Sequence, residues 1–132
     1  MNKVTKPLWI LVAGPYRSGT NDNQELIEKN VEAMNRMALQ VFHKGHMPVL
    51  GEWFALPLIK EAGSAKIGDE IFNGIFHPIA IRLGEKLDAV LRIGGESTGA
   101  DEMVKQAIQR GQKVFYDIAE IPEVDLSLRE VN

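Results

Sequence analysis

The sequence predicts an α/β fold: a doubly wound parallel sheet of four to five strands with helices on both faces. Three observations point there. Two apolar runs of strand length, PLWILVAG (7–14) and LDAVLRIGG (87–95), each end in glycine, the pattern of a strand covered on both sides. Segments with a helical apolar stripe alternate with the strand-like runs, which implies right-handed crossovers. At 132 residues the chain suits one compact domain, 1–132, and leaves little room for a second.

Taken in order, the first strand spans about 8–13. A polar loop, PYRSGTNDN, leads into a long helix at 23–44, where Ile27, Val31, Met34, Ala38 and Val41 recur at steps of four and three. Asn23 is its cap, acids occupy its first turn and Lys44-Gly45 is its stop. MPVLG (47–51) is a short second strand. EWFALPLIKEAG is apolar but contains Pro57, so it reads as a loop or a short helix. Residues 66–86 look helical, with His77-Pro78 starting a new helix or kinking the old one. The third strand is expected at 88–93. ADEMVKQAIQRG (100–111) is an amphipathic helix that turns Val104, Ala107 and Ile108 inward and stops at Gly111. KVFYDI (113–118) is the fourth strand, and 120–132 reads as a loose or partner-docking tail.

Bulk properties narrow the function classes. A net charge of −3 argues against a nucleic-acid footprint, so no nucleic acid is expected as a partner. No apolar run reaches membrane-spanning length, and MNKVTKP is too short for a signal-peptide n-region. With no cysteine there is no disulfide or thiolate site, and His43, His46 and His77 lack a zinc-binding spacing. The expectation is a small cytoplasmic protein with no membrane partner, no metal and no cofactor.

In such sheets ligands bind beyond the carboxyl ends of the strands. Three glycine-containing loops converge there: AGPYRSGTN, GEWF and GGESTGAD. In the last, Gly94 and Gly95 permit positive φ and close approach of a ligand. Ser97 or Thr98 can cap the following helix, with Asp101 or Glu102 reaching back as a capping box. The free amides at that helix start suit a phosphate; the plainer alternative is a well-capped strand-to-helix connection. The loop lacks both the GK[ST] ending of a P-loop and the GxGxxG spacing of a dinucleotide site. In AGPYRSG, following Gly14 and Pro15, Tyr16 offers a face for stacking a base and Arg17 a fork for a phosphate. The alternative for that loop is an aromatic lid on the core edge. Trp53 and Phe54 read as core, and His46 and His77 as structural or exposed.

These pieces occur in an order that resembles the nucleoside 2-deoxyribosyltransferase-like superfamily, whose fold is Rossmann-like. VAGPYRSG is similar to its "AGP" opening, and Gly45, His46, Pro48 and Val49 match a G-H-x-P-V step. LDAVLRI and S-x-GAD follow, then Ala107, Gly111 and Val114 in A-x-x-x-G-x-x-V. The similarity spans residues 8 to 116 and is closest to the small branch of the superfamily. It implies a nucleoside or nucleotide ligand, with Ser97, Gly99 and nearby amides orienting phosphate or sugar. It also implies N-glycosidase or deoxyribosyl-transfer chemistry in which a carboxylate attacks the anomeric carbon, as in a retaining glycosidase.

Two departures stand out. Met103 occupies the position of the family's nucleophilic glutamate, six residues after Ser97. Glu102 lies one step earlier, rotated by about 100° on a helix, and Asp101 is a second candidate nucleophile. The family's aspartate before the third strand has no counterpart but Glu85. A non-catalytic nucleotide-binding or sensing module on the same fold is the competing reading. A third is an interaction protein whose loops bind nothing. The resemblance also implies a homo-oligomer, a dimer or higher, and the apolar 52–62 segment with Met34 and Met37 offers surface for it.

Overall fold

The computed structural model describes residue 4 and residues 6–125. Its element order is β1 (Trp9–Ala13), α1 (Gln24–His43), β2 (Met47–Val49), α2 (Gly51–Glu61), α3 (Glu70–Lys86), β3 (Ala89–Arg92), α4 (Thr98–Gln109) and β4 (Lys113–Phe115), followed by a 3-10 turn at Ile118–Glu120. The four strands form one all-parallel sheet in the order β2-β1-β3-β4. Among the described residues the chain is therefore α/β, with four strands and four helices.

Side chains alternate across β1, and each set meets a different group of elements. Ile10 and Val12 pack with Met34, Ala38 and Val41 of α1 and with Leu91 and Phe115. Leu11 and Ala13 pack instead with Val90 and with Ala100 and Ala107 of α4. Burying both faces of β1 explains why its sequence is uniformly apolar rather than alternating. A third cluster joins Ala55 and Ile59 of α2 to Phe72 of α3.

α1 runs as its stripe predicts. Asn23 Oδ1 accepts from the Leu26 N–H at 3.1 Å, and Gly45 takes a φ of 94° just past the end. Met34 is fully buried in the core and so offers no surface to a partner, while Met37 is half-buried against the same cluster.

Elsewhere the structure departs from the expected pattern. Of the two readings of the 52–63 segment the helix is the one found, as α2 passing through Pro57, whereas α3 runs on through Pro78, so no new helix begins at His77. Proline removes one helical N–H in each case, and the apolar cluster shared by α2 and α3 offsets the loss. α4 turns Ala100, Met103, Val104 and Ala107 toward the sheet, but Ile108 is 62% exposed. Two alanines allow α4 to approach closely, and the buried stripe ends before Ile108. Trp53 and Phe54 also point outward instead of forming core.

Of the expected tail, residues 126–132 lie outside the described residues. Residues 122–125 close against the body: Val124 is buried, its N–H donates to Lys44 O, and Val4 pairs with it in a parallel bridge. His46 holds this closure. Its Nδ1 accepts from the Leu8 N–H at 2.9 Å, so Nε2 carries the hydrogen donated to Pro122 O.

Candidate functional site

The loops leaving β1 and β3 touch at the mouth of the sheet. A Cβ on Gly14 would lie 2.9 Å from Ile93 Cγ1, and one on Gly94 (φ 77°) would lie 2.7 Å from Pro15 Cδ. Glycine is required at both places by space, and at Gly94 by backbone conformation as well. Gly94 thus shapes the mouth without lining a cavity.

Arg92 braces the third loop from below. Its Nε donates to Asp101 Oδ1 at 3.0 Å, and its other nitrogens donate to Ile93 O and to Gly95 O. Ser97 caps α4, its Oγ accepting from the Ala100 N–H at 3.1 Å. The expected cap is present, but Asp101 accepts from Arg92 where a capping box would turn it back to the helix start.

Two cavities open beyond these loops. The first, about 210 Å³, is lined by Gly14, Tyr16 and Arg17 from the first loop, Glu52 from α2, Phe72 and Phe76 from α3, and Ser97, Gly99 and Met103 near α4. Its wall is mostly apolar and aromatic. Tyr16 stacks on Phe76 at 5.6 Å between centroids, and Phe76 on Phe72 at 5.3 Å. The second cavity, about 670 Å³, is more polar and more open, and includes Pro15, Asn30, Gly95, Thr98 and Asp101. Ser18 and Ser97 border both cavities.

Glu52 stands out electrostatically. It is 9% exposed, and its Oε2 has no hydrogen-bond partner. Burial pushes its carboxyl up to about 7, against a smaller opposing pull from its own backbone N–H. Position in the first turn of α2 favours an anion by only about 0.3–1 kcal/mol; desolvation wins here. Burial also raises the Tyr16 phenol, as does the nearby Glu52 charge, while Arg17 acts in the opposite direction.

Arg17 is engaged within its own loop. It holds Asp22 through two hydrogen bonds of 2.8 and 2.9 Å, which lowers the Asp22 carboxyl. Its guanidinium also lies against Gly68, on the turn before α3, and 6.0 Å from the centre of the Phe72 ring. The guanidinium therefore bridges the first loop to the turn before α3, at the rim of the apolar cavity.

The fold gathers most of the sequence-predicted residues. Gly14, Tyr16, Arg17, Ser97 and Gly99 line the apolar cavity, and Pro15, Gly95 and Asp101 the polar one. Glu102 borders neither; it is exposed and accepts from Gln106 at 3.3 Å. Met103, which stands where the family glutamate would, does face the apolar cavity. Sequence reasoning missed Glu52, Phe72, Phe76 and the cavity position of His77. The available signal was an acid directly behind the second strand, inside the apolar run VLGEWFALPLI. Compared with known proteins, the chain matches no family model and none of the curated proteins.

Proposed function

We propose that this chain is a nucleoside- or nucleotide-binding protein of the nucleoside 2-deoxyribosyltransferase-like type, built on a doubly wound sheet. The observation that carries the reading is the pair of adjoining cavities sharing Ser18 and Ser97. The apolar cavity, at about 210 Å³, is smaller than the ~300 Å³ at which pockets for drug-sized ligands begin. It suits one flat ring system rather than a whole nucleotide. The polar cavity beside it suits a sugar and phosphate, and the free amides and dipole at the start of α4 favour an anion there.

Between catalysis and binding, the geometry supports binding better. Attack on an anomeric carbon needs a carboxylate at the sugar. Glu102 stands outside both cavities, and Asp101 is paired with Arg92. The proposal therefore carries slow or absent glycosidic cleavage. A homo-oligomer belongs to the same proposal, because α1 and α2 leave Leu39, Phe42, Trp53, Phe54 and Leu58 exposed.

Calorimetry with a deoxynucleoside monophosphate and its bare nucleoside tests the reading. Wild type is expected to bind both, and Ser97→Ala to weaken the monophosphate more than the nucleoside. Equal losses would reject the phosphate position, and no binding of any nucleotide would reject the function.

A further inference from the structure

We propose that Glu52 reads the edge of the bound base: its carboxylate accepts a hydrogen bond from a ring N–H of a heterocycle seated against Tyr16, Phe72 and Phe76. The inference rests on the nucleoside reading above and narrows it to bases with a protonated ring nitrogen at that edge, such as hypoxanthine or guanine. Adenine presents a lone pair at the same position.

The argument starts from an unmet requirement. Buried polar atoms in folded proteins almost always have a hydrogen-bond partner, and Glu52 Oε2 has none. Three nearby carboxylates are engaged, whereas Glu96 on the polar cavity is exposed to solvent. Asp22 holds Arg17, Asp101 holds Arg92, and Asp69 accepts from Ser64 Oγ and the amides of Ala65 and Phe72. Glu52 lines the apolar cavity, which places its carboxyl beside whatever fills that space.

The wall decides what kind of donor fits. Three nearly parallel rings, with interplanar angles of 11° to 26°, offer flat apolar surface and few polar atoms. A sugar would bring several hydroxyls that this wall leaves unpaired. A heterocycle brings one polar edge on an apolar frame.

The other titratable or charged groups on the cavity are Tyr16 and Arg17 from the first loop and His77 from α3. Arg17 is already bonded to Asp22, and neither Tyr16 nor His77 neutralises the Glu52 charge by a hydrogen bond to Oε2.

Ionisation of Glu52 near pH 7 makes the preference switchable. The ionised carboxylate accepts only, and matches a ring N–H. The neutral acid donates one hydrogen bond and accepts another, and matches the N1 and amino group of adenine. As pH falls through about 7 the ionised fraction falls, and affinity for a strict donor falls with it.

Calorimetry with inosine and adenosine 5′-monophosphates at pH 8 and pH 6 tests this, on wild type, Glu52→Gln and His77→Gln. Wild type is expected to prefer the inosine ligand at pH 8 and to lose most of that preference at pH 6. His77→Gln should keep this pH dependence and Glu52→Gln should abolish it. Equal binding of the two ligands, preference for adenosine at pH 8, or a pH-dependent preference that survives Glu52→Gln or vanishes in His77→Gln overturns the role of Glu52 alone. Failure of wild type to bind either nucleotide overturns the nucleoside reading together with it.

Discussion

Arg92 and Asp101 form an ion pair of unequal depth: the arginine side chain is 11% exposed and the aspartate 69%. The buried partner also donates to two backbone carbonyls of the third loop. Removing it would strand those carbonyls, whereas removing the aspartate leaves a cation still bonded to backbone. Arg92→Met should therefore cost about 1–3 kcal/mol in urea unfolding. Asp101→Asn should cost well under 1 kcal/mol, because an exposed pair contributes little. Equal losses would show that the loop does not depend on the arginine.

Glu52 makes stability depend on pH. Burial pushes its folded-state carboxyl up to about 7, above the ordinary glutamate value of 4.5. Its contribution is fully present below pH 4.5 and is lost as pH rises through 7, because the native state binds the proton more tightly. The full effect is about 3 kcal/mol at 1.36 kcal/mol per pH unit. Glu52→Gln should thus be more stable than wild type at pH 8, with the difference shrinking toward pH 5. Denaturant titrations of both proteins across that range measure it.

Gly94→Ala should destabilise the fold by more than about 1 kcal/mol. The new methyl would meet Pro15 on a backbone with φ of 77°, and both the clash and the conformation oppose it. Gly95→Ala serves as the control, since no atom lies within 4 Å of its added Cβ. Comparable thermal unfolding of the two variants would contradict the close approach of the loops.

Glu102→Ala should leave nucleotide affinity unchanged within about twofold and shift stability by less than about 0.5 kcal/mol, as for an ordinary surface substitution. Met103→Lys, on the next residue, should abolish binding by filling the apolar cavity with a cation. A strong loss of binding in Glu102→Ala would return that carboxylate to the site.

The alternation of strands and helices was legible because it depends on local periodicity. The stripe of α1, the Asn23 cap and the Gly45 stop all act within a few residues of where they are read. The positions of Ser97, Tyr16 and Gly14 followed from topology, since loops at the carboxyl ends of parallel strands must converge. The burial of Glu52 had only one local signal, an acid inside an apolar run: its surroundings come from residues 16, 72 and 76, brought together only by the fold. Ile108 misled for a similar reason, as the width of a buried stripe depends on how closely a helix meets its neighbours. The prolines at 57 and 78 counted as local breaks, yet packing between α2 and α3 outweighs them.

The place of β1 at the centre of the sheet has a consequence for the order of assembly. Its neighbours are β2, paired through Trp9 and Met47, and β3, paired through Ile10 and Ala89. The Trp9 N–H donates to an aspartate 79 positions away in sequence. Being made before β3, this strand must therefore wait, half-paired and apolar on both faces, until β3 follows. Closure over so long a separation slows folding, and the waiting strand is exposed to other chains. Refolding yield should fall steeply with protein concentration, and a chain truncated before residue 89 should aggregate rather than fold.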